Sequence, residues 1–317
     1  MPCYKPLTAY RSSRCIDIKS GKPKIFFKEI KVKAWPGYET LQVPCGQCIG
    51  CRLERSRQWA IRCVHESSMY ESNVFITLTY SDKYLPKDGS LSVSAFQKFM
   101  KRLRKMASTD SKFKKLCRKK FGKDFLKIRF FHCGEYGEKF QRPHYHACLF
   151  NMDFPDRELW KVREGVRLYT SKFLQKCWKF GFSTIGDVTF ESAAYVARYV
   201  TKKITGDKAE EYYQGRKPEY TTMSRRPGIG RGWYDMYKKD VFPSDEVVLR
   251  GKVLTPPKFY DRILEHEDVR EYTRIKDKRK AKALANAADN TPERLKVKEV
   301  CKLAKYKQLK RGYENES

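Results

Sequence analysis

Two runs of strand-forming residues, Leu126 to Glu135 and His144 to Met152, flank the short segment Tyr136-Gly137-Glu138-Lys139-Phe140-Gln141, a spacing that predicts an antiparallel hairpin. Alternate residues of a strand share a face, so His144 and His146 project together, roughly 6 to 7 Å apart. Two imidazoles so placed can grip one metal ion. Glu135, on the partner strand, adds a carboxylate to that face if the register brings it opposite. Glu138 is close enough in sequence to compete for the role. Three protein ligands would leave coordination positions open for substrate oxygens, as a catalytic metal requires. A lone His-x-His is more often a polar strand face. Here, though, the chain has only five histidines, and the adjoining Gly134 to Gly137 segment has no obvious packing role.

Around this hairpin the pattern is mixed. Val74 to Tyr80 is β-branched and aromatic and ends at a polar Ser81-Asp82-Lys83 turn, which predicts a buried strand. A helix follows, capped by Ser92 or Ser94, with Phe96, Phe99, Met100, Leu103 and Met106 on its inner side. A helix near Lys172 to Phe180, a strand near Phe182 to Val188 and a helix from about Ser192 to Ile204 complete the centre. This order predicts an α+β fold, an antiparallel sheet of about five strands with helices packed on it. Residues 1–70 read as a cysteine-bearing module, 71–206 as the core, and 207–317 as a loop-rich stretch leading into basic helices. Those helices are expected over Tyr260 to Ala288 and Pro292 to Arg311, the second capped by Thr291.

The formal charge of +31 exceeds what solubility needs and calls for a polyanionic partner. Basic residues lie in many segments interleaved with aromatics, which favours nucleic acid over a membrane surface. No run of eighteen apolar residues and no secretory signal is evident, so a soluble protein that stays where it is made, without membrane attachment, is expected. An odd count of eleven cysteines argues against a complete disulfide framework. Cys45, Cys48 and Cys51 are dense enough to suggest metal, with zinc ahead of an iron–sulfur cluster. Cys63 would lie roughly 18 Å along a helix from Cys51, leaving Cys3 or Cys15 as the fourth ligand.

Tyr195 and Tyr199 stand one helical turn apart, about 40° around the axis, with Lys202 and Lys203 continuing their stripe. Tyr-x-x-x-Tyr is usually core packing. In this helix Val196 and Val200 offer a separate apolar stripe. A tyrosine beside a metal-bound phosphate can attack phosphorus, with a lysine favouring the phenolate or neutralising the developing charge. The covalent tyrosyl phosphate keeps the bond energy, so the cut can be resealed without ATP.

The Phe75 to Tyr80 strand, the Arg142-Pro143-His144-Tyr145-His146 segment and Tyr195-Val-Ala-Arg-Tyr199-Val-Thr-Lys202-Lys203 resemble the three ordered motifs of HUH endonucleases, in their two-tyrosine form. Met1-Pro2-Cys3-Tyr4 and Pro44-Cys45-Gly46-Gln47-Cys48-Ile49-Gly50-Cys51-Arg52 are more narrowly similar to initiators of gokushovirus-type microviruses, small single-stranded-DNA phages. The match covers residues 75 to 203 and the cysteine segment. Tyr145 departs mildly from the family's aliphatic position. The resemblance implies an RRM-like palm and metal-dependent origin nicking with Mg²⁺ or Mn²⁺. It also implies a 5′-phosphotyrosine intermediate and a free 3′ hydroxyl that primes rolling-circle replication. By the same resemblance Tyr195 and Tyr199 are nucleophiles, Lys202 or Lys203 the assisting lysine, and His144 and His146 metal ligands. The expected partners are single-stranded DNA, replicative-form origin DNA, and a host helicase and polymerase, since the chain has no P-loop of its own. The rival readings are a non-catalytic RRM-like binding protein and a plasmid initiator or relaxase.

Overall fold

The computed structural model describes residues 3–18, 21–27, 38–137, 140–163, 165–202 and 208–308, with residues 13, 198–202 and 208 described by backbone alone. Two compact units emerge: one holds the described residues of Met1–Glu54 and Lys280–Leu309, the other those of Arg55–Arg279. These divisions differ from the expected ones near residues 70 and 206. Helix α1 (Ile49–Ser67) contributes its later turns to the larger unit, and residues 208–279 supply that unit with a strand and an aromatic cluster.

The smaller unit carries a sheet of three strands, β1 (Leu7–Ile16), β2 (Pro23–Phe26) and β3 (Tyr38–Val43), in the order β2-β1-β3, none of which the sequence had suggested.

The larger unit is built on β4 (Asn73–Thr79) and helices α2 (Val93–Thr109) and α3 (Ser111–Phe121), followed by the hairpin β5 (Arg129–Tyr136) and β6 (Pro143–Phe150). Next come β7 (Glu158–Arg163), β8 (Val166–Thr170), α4 (Lys172–Cys177), β9 (Ser183–Asp187) and α5 (Phe190–Lys202). Then follow α6 (Lys208–Tyr213), β10 (Tyr220–Met223), α7 (Arg231–Val241), β11 (Val247–Leu249), β12 (Lys252–Leu254) and α8 (Lys258–Glu267). Helices α9 (Val269–Ala285) and α10 (Pro292–Lys307) end the described chain. Among the described residues seven strands form one antiparallel sheet, ordered β10-β5-β6-β4-β9-β8-β7. Of these seven, against about five expected, β4, β5, β6 and β9 stand where the sequence placed strands; the β7–β8 hairpin was not foreseen, and β10 joins from a region expected to be loop.

Strand β6 has helices on both sides. Tyr145, Ala147 and Leu149 enter a core with Phe96, Phe99, Leu103 and Phe113 of α2 and α3. Cys148 and Phe150, on the opposite face, pack with Ala60 and Cys63 of α1 and Ala193 and Val196 of α5. Ser92 caps α2 by accepting from the Ala95 amide at 3.2 Å. Helix α5 begins slightly before the expected Ser192: Thr189 and Ser192 exchange hydrogen bonds between each one's amide and the other's hydroxyl, a reciprocal cap. The expected single helix over Tyr260 to Ala288 is instead two, because the Asp268 side chain takes the Glu271 amide at 2.9 Å and starts α9 afresh. The Thr291 cap of α10 is present.

Candidate active site

The hairpin register decides the site. Glu135 pairs directly with His144 and Cys133 with His146, while on the other flank Thr77 pairs with His146 and Thr79 with His144. Directly opposed residues of antiparallel strands share a face, so Thr77, Thr79, Glu135, His144 and His146 converge on the side covered by α5. His146 is 3% exposed. Its Nδ1 meets the Thr77 hydroxyl at 3.0 Å and its Nε2 meets Glu135 Oε1 at 2.7 Å, so both ring nitrogens are aimed. Phe75 lies parallel to the ring at 5.7 Å between centroids.

Helix α5 brings the tyrosine. Tyr195 stands edge-on to His146, 5.1 Å between centroids, and donates its hydroxyl to Glu135 Oε1 at 3.5 Å. It is buried, and Val196 beside it enters the apolar cluster, so one turn of helix serves both packing and site. The side chains of Tyr199 and Lys202, and the whole of Lys203, lie outside the described residues, as does Glu138.

His144 is half-buried near the open end of this face. Its pKa is pushed down to about 3 by burial, with the His146 and Arg142 charges acting the same way. The imidazole is therefore neutral, the form that ligates metals. Neighbouring Arg142 holds the hairpin end by donating to the Tyr80 carbonyl at 2.9 Å. The donor set, two imidazoles and a carboxylate on one face with a threonine orienting one ring, suits a divalent ion. His146 and Glu135 touch, whereas the three donors do not gather within 4.8 Å of one another as four cysteines elsewhere do.

Those cysteines are Cys3, Cys45, Cys48 and Cys51. Their sulfurs all lie within 4.8 Å of one another; Cys15 does not join them, and Cys63 sits on α1 in the apolar cluster against the large sheet. Burial raises the Cys48 thiol, but amide donors from Cys51 and Tyr4 and the neighbouring thiols outweigh it and bring the pKa down to about 7. Burial drives Cys51 upward.

Three features escaped the sequence reading. Thr77 lies in a strand that read simply as buried, and only the register puts its hydroxyl against His146. Gly134 has a packing role after all: an added Cβ would come 2.8 Å from the Tyr220 ring on β10. Phe182, whose carbonyl accepts from the Thr79 amide at 2.9 Å, packs edge-on against Trp160 at 5.0 Å, and both rings are largely exposed. Lys161 lies over the Trp160 ring, so the open end of the site runs into an aromatic and cationic edge. The Trp160 and Val162 side chains two apart in Glu158–Arg163, residue types that favour strands, were the signal that could have exposed β7. Among the described residues no helix is long and apolar enough to cross a membrane.

The profile of the family described as replication-associated protein ORF2/G2P matches residues 73–204, from β4 to the end of α5. The chain is 34% identical over 298 residues to replication-associated protein ORF2 of Spiroplasma virus 4, covering 88% of this chain and 86% of that protein. It is 37% identical over 221 residues to replication-associated protein VP4 of Bdellovibrio phage phiMH2K, covering 68% of this chain and 65% of that protein. With replication-associated protein ORF4 of Chlamydia phage 1 it shares 29% identity over 229 residues, 70% of this chain and 53% of that protein. The chain thus spans just under two thirds of the Bdellovibrio phage relative and about half of the Chlamydia phage one. No solved structure matches the chain.

Proposed function

The chain belongs to the replication-associated proteins of microviruses, and from that premise we propose that it initiates replication by cutting and rejoining one strand of origin DNA through a tyrosine. The observation that carries this reading is the contact of the Tyr195 hydroxyl with Glu135, which itself holds His146. A binding protein on such a sheet would have no need to bring a phenol, a carboxylate and an imidazole together.

The Tyr195 oxygen attacks the phosphorus of the scissile phosphodiester, and the bond to the 3′ oxygen breaks. The 5′ phosphate stays on the tyrosine. The phenolic proton is lost, and the departing 3′ oxygen takes one up to become a hydroxyl that primes synthesis. One ester replaces another, so the reverse reaction needs no ATP. A phenol has an ordinary pKa of about 10, so the site must favour its anion or share the proton as attack proceeds. When bound, Mg²⁺ or Mn²⁺ held by His144, His146 and Glu135 would act as a Lewis acid on the scissile phosphate. Thr77 keeps the His146 ring in place, and Phe75 and Tyr195 shut water from it. Tyr199 takes the second transfer, which releases and circularises the displaced strand, and Lys202 or Lys203 neutralises charge on the phosphate. The exposed Trp160 and Phe182 rings with Lys161 suit stacking and backbone contact for a single strand leaving the site. The partners are origin DNA in single-stranded and replicative form, with a host helicase and polymerase, in the bacterial cytoplasm.

Incubation with an origin-containing single-stranded oligonucleotide and Mg²⁺ or Mn²⁺ is expected to yield a protein–DNA adduct that survives denaturation. Tyr195→Phe/Tyr199→Phe should abolish it, and the two single variants divide the transfers between them. An adduct unchanged in the double variant would sink the reading.

A further inference from the structure

Cys3, Cys45, Cys48 and Cys51 form a cluster that takes no part in the proposed strand transfer. Their sulfurs all fall within 4.8 Å of one another, and none is in a disulfide. The Cys3 and Cys48 sulfurs are 3.9 Å apart. A tetrahedral zinc with Zn–S bonds of about 2.3 Å sets its ligand sulfurs about 3.8 Å apart. An iron–sulfur cluster spreads its thiolates around a core of several irons and sulfides, and so needs wider separations.

The surrounding backbone is arranged for thiolates. The amides of Tyr4 and Cys45 point at Cys48 and Cys3 at 3.3 Å each, and those of Gln47 and Cys48 point at Cys45 at 3.4 and 3.3 Å. Amide donors to sulfur offset negative charge that four packed neutral thiols would not carry.

The unit that holds these cysteines has little else to fold around. Among its described residues the buried apolar side chains are Cys3, Ala9, Cys48 and Leu295, while Leu7, Ile16, Ile18, Ile25 and Phe27 are exposed. So small a core falls short of what an independent unit needs without a staple.

We propose that Cys3, Cys45, Cys48 and Cys51 bind one Zn²⁺ as a closed, structural tetrathiolate site. It joins the segment entering β1 to the β3–α1 connection and the first turn of α1. Four protein ligands leave no position for a substrate, so the ion stabilises the fold and performs no chemistry. The proposal does not depend on the strand-transfer reading.

The test uses the full chain, purified without chelator, with elemental analysis of the bound metal. The expected result is about one zinc per chain. Cys3→Ser and Cys48→Ser should lose it, while Cys15→Ser and Cys301→Ser retain it. Because the first two variants could fail to fold, the unaltered chain is also reconstituted with Co²⁺. Thiolate-to-metal charge-transfer absorption of an intensity proper to four sulfurs, with tetrahedral d–d bands, supports the site. The proposal is overturned if the unaltered chain binds no metal or holds iron instead. A Cys3–Cys48 disulfide in freshly isolated protein, or zinc retained by Cys3→Ser, overturns it too.

Discussion

Strand β6 presents two different interiors. Tyr145, Ala147 and Leu149 face α2 and α3, and His144 and His146 face α5, yet most of these residues are buried. Burial does not distinguish the faces; what distinguishes them is how their polar groups are satisfied. On the first face the tyrosine hydroxyls are tied chiefly to backbone: Tyr145, which also meets the Tyr80 hydroxyl at 3.2 Å, donates to the Ser92 carbonyl at 3.1 Å and accepts from its amide at 2.9 Å, and Tyr136 donates to the Lys217 carbonyl at 2.8 Å. Even His132, stacked 3.4 Å from Phe96, is kept neutral by burial, with His146 pressing the same way. On the second face Thr77, His146, Glu135 and Tyr195 bond to one another. Desolvated groups that can ionise and that depend on each other are what a reaction site requires, and what a core avoids.

Breaking either face separates the two roles. Phe96→Ala should have the largest effect, removing about 3–5 kcal/mol of stability in urea unfolding while leaving strand transfer per folded molecule intact. His146→Ala should do the converse: adduct formation falls by about a hundredfold or more, several kcal/mol of barrier, with a smaller loss of stability than Phe96→Ala causes. An equal loss of stability in both variants would erase the distinction. Thr77→Val tests whether the ring's orientation matters, with a loss of roughly 10–100-fold in rate or metal affinity expected. Tyr145→Phe, one residue away on the opposite face, should cost about 1 kcal/mol of stability and leave the rate unaltered.

The smallest effect near neutrality concerns pH. His65 on α1 stacks 3.5 Å from Trp233 and bonds Tyr260 through Nδ1 at 2.8 Å, and burial lowers its pKa to about 3. An unfolded histidine protonates near 6.5, so between about pH 6.5 and 3 the unfolded state binds the extra proton and stability falls as pH falls. Above that window the residue contributes no slope. Acid titration of the unfolding midpoint should be shallower in His65→Phe.

Much of this was legible because local pattern and tertiary demand agree. The continuous β-branched and aromatic run from Val74 to Tyr80 and the paired runs around Gly137 become strands buried on both faces, and the helical repeat from Phe96 to Leu103 buries one face of α2. The short elements were not legible. Tyr220–Met223 has four residues and gains its place only by pairing with β5, and β1 to β3 bury so few apolar side chains that no periodicity marks them.

The sequence alone determined which chemistry the chain could hold: histidines two apart on a strand, a tyrosine one position from a valine on a helix, cysteines at three-residue spacing. Those are consequences of fixed repeats along a single element. Only the tertiary structure decided that Glu135 lies opposite His144, that Thr77 turns the His146 ring, and that Cys3 rather than Cys15 completes the cysteine cluster. A one-residue slip in the hairpin would have put Glu135 on the other face, and strand register is set by the packing of both faces together, which no single element records.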